Sequence, residues 1–265
     1  MEIIGYLASF CIGLVLGIMG GGGSILAIPI LVYFFSIQIV EATGYSLIIV
    51  GMTSLIGAFH RFRNELVDLR IGLLFGIPSI ITIFITRKWL IPAIPDVLIQ
   101  IDSVVISKRL FILSLFSVLI IGSSYVMITN KMRPLINFND KTTLHLIMLG
   151  SLIGVITGIV GIGGGFLILP ALIYLANLPF NKAVGTTLFI IAIKSLIGFT
   201  ADASNYSVNW TFICLILVIA ISGIYMGNLF SKYVSQEKLK KSFGWFTLTI
   251  GVSILVKESI LFIIN

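Results

Sequence analysis

Long apolar stretches separated by short polar ones dominate the chain. Eight such stretches occupy residues 3–37, 42–59, 69–86, 108–128, 143–177, 183–200, 208–230 and 243–263. Crossing the hydrocarbon core of a bilayer takes about 20 mostly apolar residues, so the pattern predicts an all-α polytopic membrane protein. The first stretch of each half is too long for one span. Glycines interrupt it, and because each costs about 1 kcal/mol in a helix interior, the helix is expected to break there.

The composition agrees with a membrane protein that has no separate soluble domain. Hydrophobic residues make up 58% of the chain and charged residues 10%, against about 45–50% and about 25% in soluble globular proteins. The net charge of +7 is spread over loops, where membrane topology explains it better than a nucleic-acid partner does. Cys11 and Cys214 lie inside apolar stretches and are interpreted as small apolar fillers, and no metal site or cofactor is expected.

The two halves of the chain repeat one pattern. Gly17-Ile-Met-Gly20-Gly-Gly22-Gly23-Ser24 aligns with Gly158-Ile-Val-Gly161-Ile-Gly163-Gly164-Gly165 at an offset of 158 − 17 = 141 residues. The same offset matches residues 42–47 to 183–188, and Asn64 to Asn205. Apolar bias alone would not place glycine and asparagine in register, which indicates a duplication. We predict a first transmembrane repeat at 1–130, a cytoplasmic linker at 131–142 and a second repeat at 143–265.

Basic residues indicate that the chain turns back at the glycines, which gives five helical elements per half. Eleven basic residues then share one side of the membrane: Arg61, Arg63, Arg70, Lys131, Arg133, Lys141, Lys182, Lys232, Lys238, Lys240 and Lys241. Five lie on the other: Arg87, Lys88, Lys108, Arg109 and Lys257. One broken span per glycine stretch gives only nine against seven, so the positive-inside rule favours about ten transmembrane or re-entrant elements.

An odd number of elements per half has a further consequence for topology. It predicts two inverted repeats, with both termini outside the cytoplasm, in a multi-pass protein of the inner (plasma) membrane. The chain starts Met1-Glu2-Ile3-Ile4, without the basic residues that open a secretory signal, so the first helix is expected to be retained.

The glycine breaks are candidate anion sites. A helix start carries unpaired N–H groups and a partial positive charge, and glycine lets a solute approach them closely. The candidate substrate-binding positions in the breaks are Gly20, Gly22, Gly23, Ser24, Gly161, Gly163, Gly164 and Gly165. Close helix packing is an alternative, since Gly13-xxx-Gly17 and Gly154-xxx-Gly158 have small-xxx-small spacing. A nucleotide-binding loop fits poorly, because no Lys-Ser/Thr follows and no soluble strand precedes.

Lys194 is the most informative polar residue. It lies deep in the 183–200 stretch, where a lysine costs about 2.5–3.5 kcal/mol on insertion scales. Its repeat partner is Thr53, so the scaffold does not need the charge. Lys194 either attracts an anionic substrate or pairs with a carbonyl group or with Asp202. The same elements carry hydroxyls that suit an oxyanion: Ser46, Ser54, Thr186, Thr187 and Ser195.

Four residues near the ends of the second stretch in each half are candidates for gating or coupling: His60, Arg61, Asp202 and Asn205. For His60, and for His145 in the second half, an interfacial position without a transport role is the alternative. Asp202 and Asn205 are expected to line the mouth opposite to that of His60 and Arg61.

Several motifs together resemble the TauE/SafE family of sulfite-exporter-like transporters. They are the two glycine motifs with Pro29 and Pro170, Ala183-Val-Gly185-Thr186-Thr187-Leu188, and His60-x-Arg-x-Asn-x-x-Val67-Asp68. The resemblance covers essentially the whole chain. It implies export or uptake of small anions such as sulfite, organosulfonates or sulfoacetate. The first copy has Gly44-Tyr45-Ser46 where the family usually has Gly-Thr-Ser.

We therefore predict an alternating-access anion transporter that is not an enzyme. A passive anion channel would share the same site, and a membrane scaffold would show no flux. An intramembrane enzyme would need a nucleophile with a base, or clustered acidic metal ligands, at membrane depth. The expected partners are the lipid bilayer and a small anion, and the sequence leaves open whether two copies form a homodimer.

Overall fold

Ten helical elements and one β-hairpin form the computed structural model, which describes residues 2–101, 104–129, 140–161, 163–203, 206–231 and 233–264. The helices are α1 (Glu2–Met19), α2 (Gly23–Tyr33), α3 (Ile39–Arg63), α4 (Leu69–Ala93), α5 (Lys108–Thr129), α6 (Asp140–Val160), α7 (Gly165–Tyr174), α8 (Phe180–Asp202), α9 (Trp210–Phe230) and α10 (Gln236–Ile264). Strands β1 (Val97–Ile101) and β2 (Val104–Ser107) pair antiparallel between α4 and α5. The predicted all-α fold is confirmed. Residues 130–139, which include most of the predicted linker, lie outside the described residues.

Seven of the described helices are long and apolar enough to cross a membrane: α3, α4, α5, α6, α8, α9 and α10. The chain is thus a multi-pass membrane protein. Helices α2 and α7 have 11 and 10 residues. At 1.5 Å per residue each is about 16 Å long, roughly half of the ~30 Å hydrocarbon core.

Apolar side chains on the outside of the molecule identify the surface that lipid covers. On α4, Leu73, Ile77, Ile81 and Ile85 follow one another at four-residue spacing and are 47–55% exposed. Residues four apart lie on one face of a helix. A continuous apolar stripe that the protein leaves uncovered fits contact with lipid, where exposure of such side chains has no cost.

The chain turns back at the first glycine motif. Helix α1 ends at Met19 and α2 begins at Gly23. Gly23 lies against Ile12 and Leu16 of α1, while Gly5 near the start of α1 lies against Phe34 and Phe35 at the end of α2. The two helices therefore run antiparallel as a hairpin, as the ten-element interpretation expects.

Each half contributes one helix to two similar helix pairs, and the two pairs correspond to each other under the 141-residue offset. Helix α1 packs along α9, and its repeat partner α6 packs along α4. At the first contact Gly13 and Gly17 lie against the backbone of α9. At the second, Gly154 and Gly158 lie against Ser79 and Thr86 of α4. The small-xxx-small spacing thus marks two close helix contacts, while α3 and α8 pack against each other at the centre.

Two helix caps occupy positions that the predicted duplication makes equivalent. The carboxylate of Asp68 accepts from the Ile71 N–H at the start of α4, and Asn209 accepts from the Phe212 N–H at the start of α9; their numbers differ by 209 − 68 = 141. The backbone N–H of each cap residue donates to a hydroxyl of the opposite half, Thr186 for Asp68 and Tyr45 for Asn209. Tyr45 and Thr186 occupy equivalent positions in the two halves. The hydroxyl of each therefore accepts the equivalent N–H, even though the residue types differ.

Candidate functional site

The two glycine turns meet inside the protein. The first glycine turn is residues 20–23, and the second comprises Gly161, Gly163, Gly164 and Gly165. A Cβ atom on Gly21 would lie 2.5 Å from the carbonyl oxygen of Gly165, and one on Gly165 would lie 2.8 Å from that of Gly21. Since real Cβ atoms do not approach so closely, glycine at both positions is what allows the backbones to touch.

Backbone conformation explains why the helices break where the sequence predicts. Gly20 and Gly161, at equivalent positions, have φ values of +71° and +74°, and Gly164 has +77°. Residues with a side chain rarely adopt these left-handed conformations, whereas glycine does so at little cost. Helix α7 starts at Gly165, where the two turns touch, and α2 starts at Gly23, two residues after Gly21.

Three polar side chains converge on the second glycine turn. The Nη2 atom of Arg87 packs against Gly161. Lys194 and Ser195, both from α8, lie next to Gly164 and Gly163: their Nζ and Oγ atoms are 2.8 Å and 2.9 Å from the positions a Cβ would take there. Arg87, Lys194 and Ser195 are completely buried. The turn is therefore surrounded by two cations and a hydroxyl.

The hydrogen bonds of this cluster leave donors unused. Lys194 Nζ donates to Thr157 Oγ1 at 3.0 Å, and Arg87 Nη1 donates to Thr43 Oγ1 at 3.0 Å. Among the described residues, the Nε and Nη2 atoms of Arg87 and the Oγ of Ser195 have no hydrogen-bond partner. Buried polar groups are nearly always paired, and an unpaired one costs about 1–3 kcal/mol, or more when charged. An additional acceptor at this turn would remove that cost.

Sequence reasoning missed Arg87, which it counted as a loop charge. The apolar stretch stops at residue 86, and two basic residues, Arg87 and Lys88, follow it. In sequence they resemble the polar end of a membrane span. Instead α4 continues through a π-helical turn, Thr86–Leu90, and Arg87 is buried within it. The repeat offers a signal that could have found it: 228 − 87 = 141, and Asn228 lies within the apolar residues of α9.

Asp202 neutralises one of the two cations. Its Oδ2 atom lies 3.2 Å from Arg87 Nη1, and both side chains are fully buried. Tyr206 Oη donates to the same oxygen at 3.1 Å. Burial, followed by the nearby Asp202 carboxylate, raises the pKa of Tyr206, so the phenol stays protonated and remains a donor. Asp202, which the sequence offered as a partner for Lys194, thus forms an ion pair with Arg87.

The repeat partner of Asp202 is Arg61, since 202 − 61 = 141. Arg61 is buried, and its Nη2 atom donates to the Gly17 carbonyl oxygen at 3.2 Å, near the C-terminal end of α1. His60, beside it, is exposed and lines a cavity of about 240 Å³ together with Arg63 and Asn228. Asn205 lies outside the described residues.

The predicted hydroxyls have different surroundings. Thr186 accepts from the Asp68 N–H, and Ser24 donates to the Gly21 carbonyl oxygen within the first turn. Ser46, Ser54 and Thr187 are fully buried and, within the described residues, their hydroxyl oxygens have no hydrogen-bond partner. Of the predicted hydroxyls, Ser195 is the one placed directly against the second glycine turn.

The first glycine turn has apolar surroundings. Gly20 lies against Val184, Gly22 against Val15 and Phe243, and Gly23 against Leu16. The positions equivalent to Arg87 and Lys194 are Asn228 and Thr53, and the Thr53 hydroxyl donates to the Ile49 carbonyl oxygen of its own helix. Two equivalent cradles were expected, but the polar side chains gather around the second turn.

Two cavities lie elsewhere. One of about 450 Å³, near the end of α2, is lined by residues that include Gln38, Asp96 and Lys108. The other is the 240 Å³ cavity beside His60. Neither of these two is lined by glycines of either turn. Gly161, Gly163, Gly164 and Gly165 are all buried, so the second turn is closed to solvent in this conformation. In the described part of the chain, no three His, Cys, Asp or Glu residues lie close enough to hold a metal ion.

A family model described as sulfite exporter TauE/SafE matches residues 5–254. The chain belongs to the TauE/SafE family. This confirms the resemblance seen in the glycine motifs and points to a transporter rather than an enzyme.

The TauE/SafE chain also has relatives over most of its length. It is 28% identical over 245 residues to the "Probable membrane transporter protein YdhB" of Bacillus subtilis, covering 89% of this chain and 93% of the relative. It is 27% identical over 251 residues to a "Probable membrane transporter protein" of Xylella fastidiosa, covering 92% and 91%. A similarly named protein of Methanocaldococcus jannaschii is 25% identical over 234 residues, covering 84% and 82%. No solved structure matches the chain significantly.

Proposed function

We propose that this TauE/SafE protein transports small anions, of the sulfite, organosulfonate or related oxyanion class, by alternating access around the glycine-broken helices. The observation that carries the proposal is the convergence of Arg87 and Lys194, both fully buried, on the second glycine turn. A buried charge is tolerated when it is paired, and Lys194 has a threonine hydroxyl as its hydrogen-bond partner. An anion would supply the missing negative charge.

The backbone supports the same position. Helix α7 starts at Gly165, and the N–H groups of Leu167 and Ile168 already bond to the Gly164 carbonyl oxygen. The earlier N–H groups of a first helical turn have no partner within the helix and are free to point at an anion. The substrate oxygens would then lie between these amides, Lys194 and Ser195, with Arg87 at the side.

A carrier fits the closed geometry better than an open channel. The side chains of Arg87, Lys194 and Ser195 are fully buried, and the described glycines of the second turn are buried as well. Transport therefore requires the helices around the turn to separate on one side at a time. We assign gating or coupling to His60 and Arg61, on the proposed cytoplasmic side, and to Asp202 and Asn205 in the second half.

The proposed topology determines whether export or uptake of the anion must be coupled to a second ion. With inverted repeats in the inner membrane and both termini outside the cytoplasm, an inside-negative potential contributes about 2.3 kcal/mol per charge per 100 mV toward anion exit. Export of an anion then needs no coupling ion, whereas uptake needs a cotransported proton or cation.

The test is anion flux in proteoliposomes containing the purified full-length protein. Lys194→Ala removes a charge-assisted contact worth about 1.5–3 kcal/mol, so flux at subsaturating anion is expected to fall at least about tenfold. Because an uncompensated buried charge is also removed, the variant should be no less stable than wild type. The matched control is Thr53→Ala at the position equivalent to Lys194 in the first half, which should retain most of the flux.

Three outcomes would argue against the proposal. Equal flux in Lys194→Ala and wild type would remove the lysine from the mechanism. Conductance that does not saturate with anion concentration would indicate a channel. No flux of sulfite, methanesulfonate, sulfoacetate or acetate in either direction would favour a scaffold.

A further inference from the structure

The charges at the second glycine turn do not balance. Arg87 and Lys194 contribute two positive charges, and Asp202 contributes one negative charge through its ion pair with Arg87. All three side chains are fully buried. The cluster therefore carries a net charge of 2 − 1 = +1 in a part of the protein with little access to water.

The other buried charges in the described residues are satisfied locally. Glu258 pairs with Arg109 at 3.2 Å. Lys108 donates to the carbonyl oxygens of Ile91 and Ile94 at 2.8 Å and 3.0 Å. Arg61 donates to the Gly17 carbonyl oxygen. Glu258, Lys108 and Arg61 are 4–7% exposed, whereas the three charged residues of the cluster have no exposure at all. Among the described residues, the excess positive charge that is completely buried therefore lies at the second turn.

The duplication indicates that the fold does not require this charge. At the equivalent positions, Asn228 replaces Arg87 and Thr53 replaces Lys194. Three glycine pairs and the helix pairing are kept, the glycines being Gly20, Gly22 and Gly23 against Gly161, Gly163 and Gly164. The cationic pair is an addition to one copy of a scaffold that forms without it in the other. We therefore expect the anion to bind at the second glycine turn and not at the first.

We propose that the second glycine turn selects solutes with a single net negative charge, such as a sulfonate, a carboxylate or hydrogen sulfite, over dianions of similar size. This rests on the proposed transport function and names the charge class of its substrate. A monoanion brings the cluster from +1 to 0, whereas a dianion leaves −1 in a low-dielectric site, where an unbalanced charge is unfavourable.

The test compares methanesulfonate with sulfate, which share a tetrahedral sulfur and similar size but differ in charge. Each anion competes against a transported tracer in proteoliposomes containing the wild-type protein at neutral pH. Methanesulfonate is expected to inhibit at a concentration about tenfold lower than sulfate, or lower still. Equal inhibition, or stronger inhibition by sulfate, overturns the proposal without affecting the transport function. Failure of the protein to bind or move any anion would instead overturn both.

Variants that change the charge test the cause of the preference. Asp202→Asn raises the net charge of the cluster to +2 and should shift the ratio of the two inhibitory concentrations toward sulfate by about tenfold or more. Lys194→Met lowers the net charge to 0 and should weaken the binding of both anions. Glu258→Gln, which removes a buried carboxylate elsewhere, is the matched control and should keep the wild-type ratio. An unchanged ratio in folded Asp202→Asn protein contradicts the proposal. If that variant does not fold, the wild-type comparison still decides.

Discussion

Breaking the ion pair between Arg87 and Asp202 should cost far more stability than breaking a surface pair of the same length. The two atoms lie 3.2 Å apart and both side chains are fully buried. At an effective dielectric constant of about 20, two unit charges at this distance interact by about 5 kcal/mol. Removing one partner of a buried pair typically costs about 3–5 kcal/mol, because the other charge loses its compensation.

The matched control is Lys241 with Glu237 on α10. These atoms are 3.3 Å apart, but the side chains are 65% and 80% exposed. An exposed pair within one helix is worth about 0.5 kcal/mol or less. Arg87→Met should therefore lower the free energy of unfolding by about 3–5 kcal/mol, and Lys241→Met by less than about 0.5 kcal/mol.

The assay is thermal or denaturant unfolding of the full-length protein in detergent, with Asp202→Asn and the double variant in the same series. Because Arg87→Met also removes the positive charge that Asp202 compensates, the double variant should be less destabilised than the sum of the two single variants, by about 1–3 kcal/mol. The reasoning fails if Arg87→Met is as mild as Lys241→Met, or if the single effects add without coupling.

Two further predictions concern the scaffold, and both are measured by the same unfolding assay. Gly164→Ala should lose about 2 kcal/mol or more, since the left-handed conformation costs about 1–2 kcal/mol for a residue with a side chain and the new Cβ would press on Thr157. Gly122→Ala, in the interior of α5 with open space around it, should instead gain about 0.5–1 kcal/mol, and a loss there would contradict the argument. Tyr45→Phe and Thr186→Val should each cost about 1 kcal/mol, because each hydroxyl accepts a cap N–H; a large difference between them would show that the two contacts are not equivalent.

Much of the architecture follows from the sequence, because glycine and charge positions have direct structural consequences. Gly20 and Gly161 adopt left-handed conformations, so the breaks were predictable from residue type. The division of basic residues favoured a chain that turns back, and α1 with α2 forms such a hairpin. Lys194 was recognisable because a charge inside an apolar stretch needs a reason.

The surroundings of the second turn were not predictable, because they depend on contacts between the halves. Thr43 and Arg87 of the first half lie against Gly161 of the second, and nothing local to either sequence segment indicates this. Arg87 was also obscured by the π-helical turn, which carries α4 past the apparent end of its apolar stretch. The repeat pattern predicted two similar cradles, whereas the side chains around each turn come from diverged positions.

The central claim is that an anion binds at the second glycine turn, and a structure with a bound anomalous scatterer tests it most directly. Bromomethanesulfonate is a monoanion whose bromine can be located in crystals by anomalous diffraction. The account predicts a bromine peak beside Gly161 and Gly164, with the sulfonate oxygens within hydrogen-bond reach of Arg87 and Lys194. A peak beside Val184 and Phe243 at the first turn, or a transported anion bound at neither turn, would contradict it.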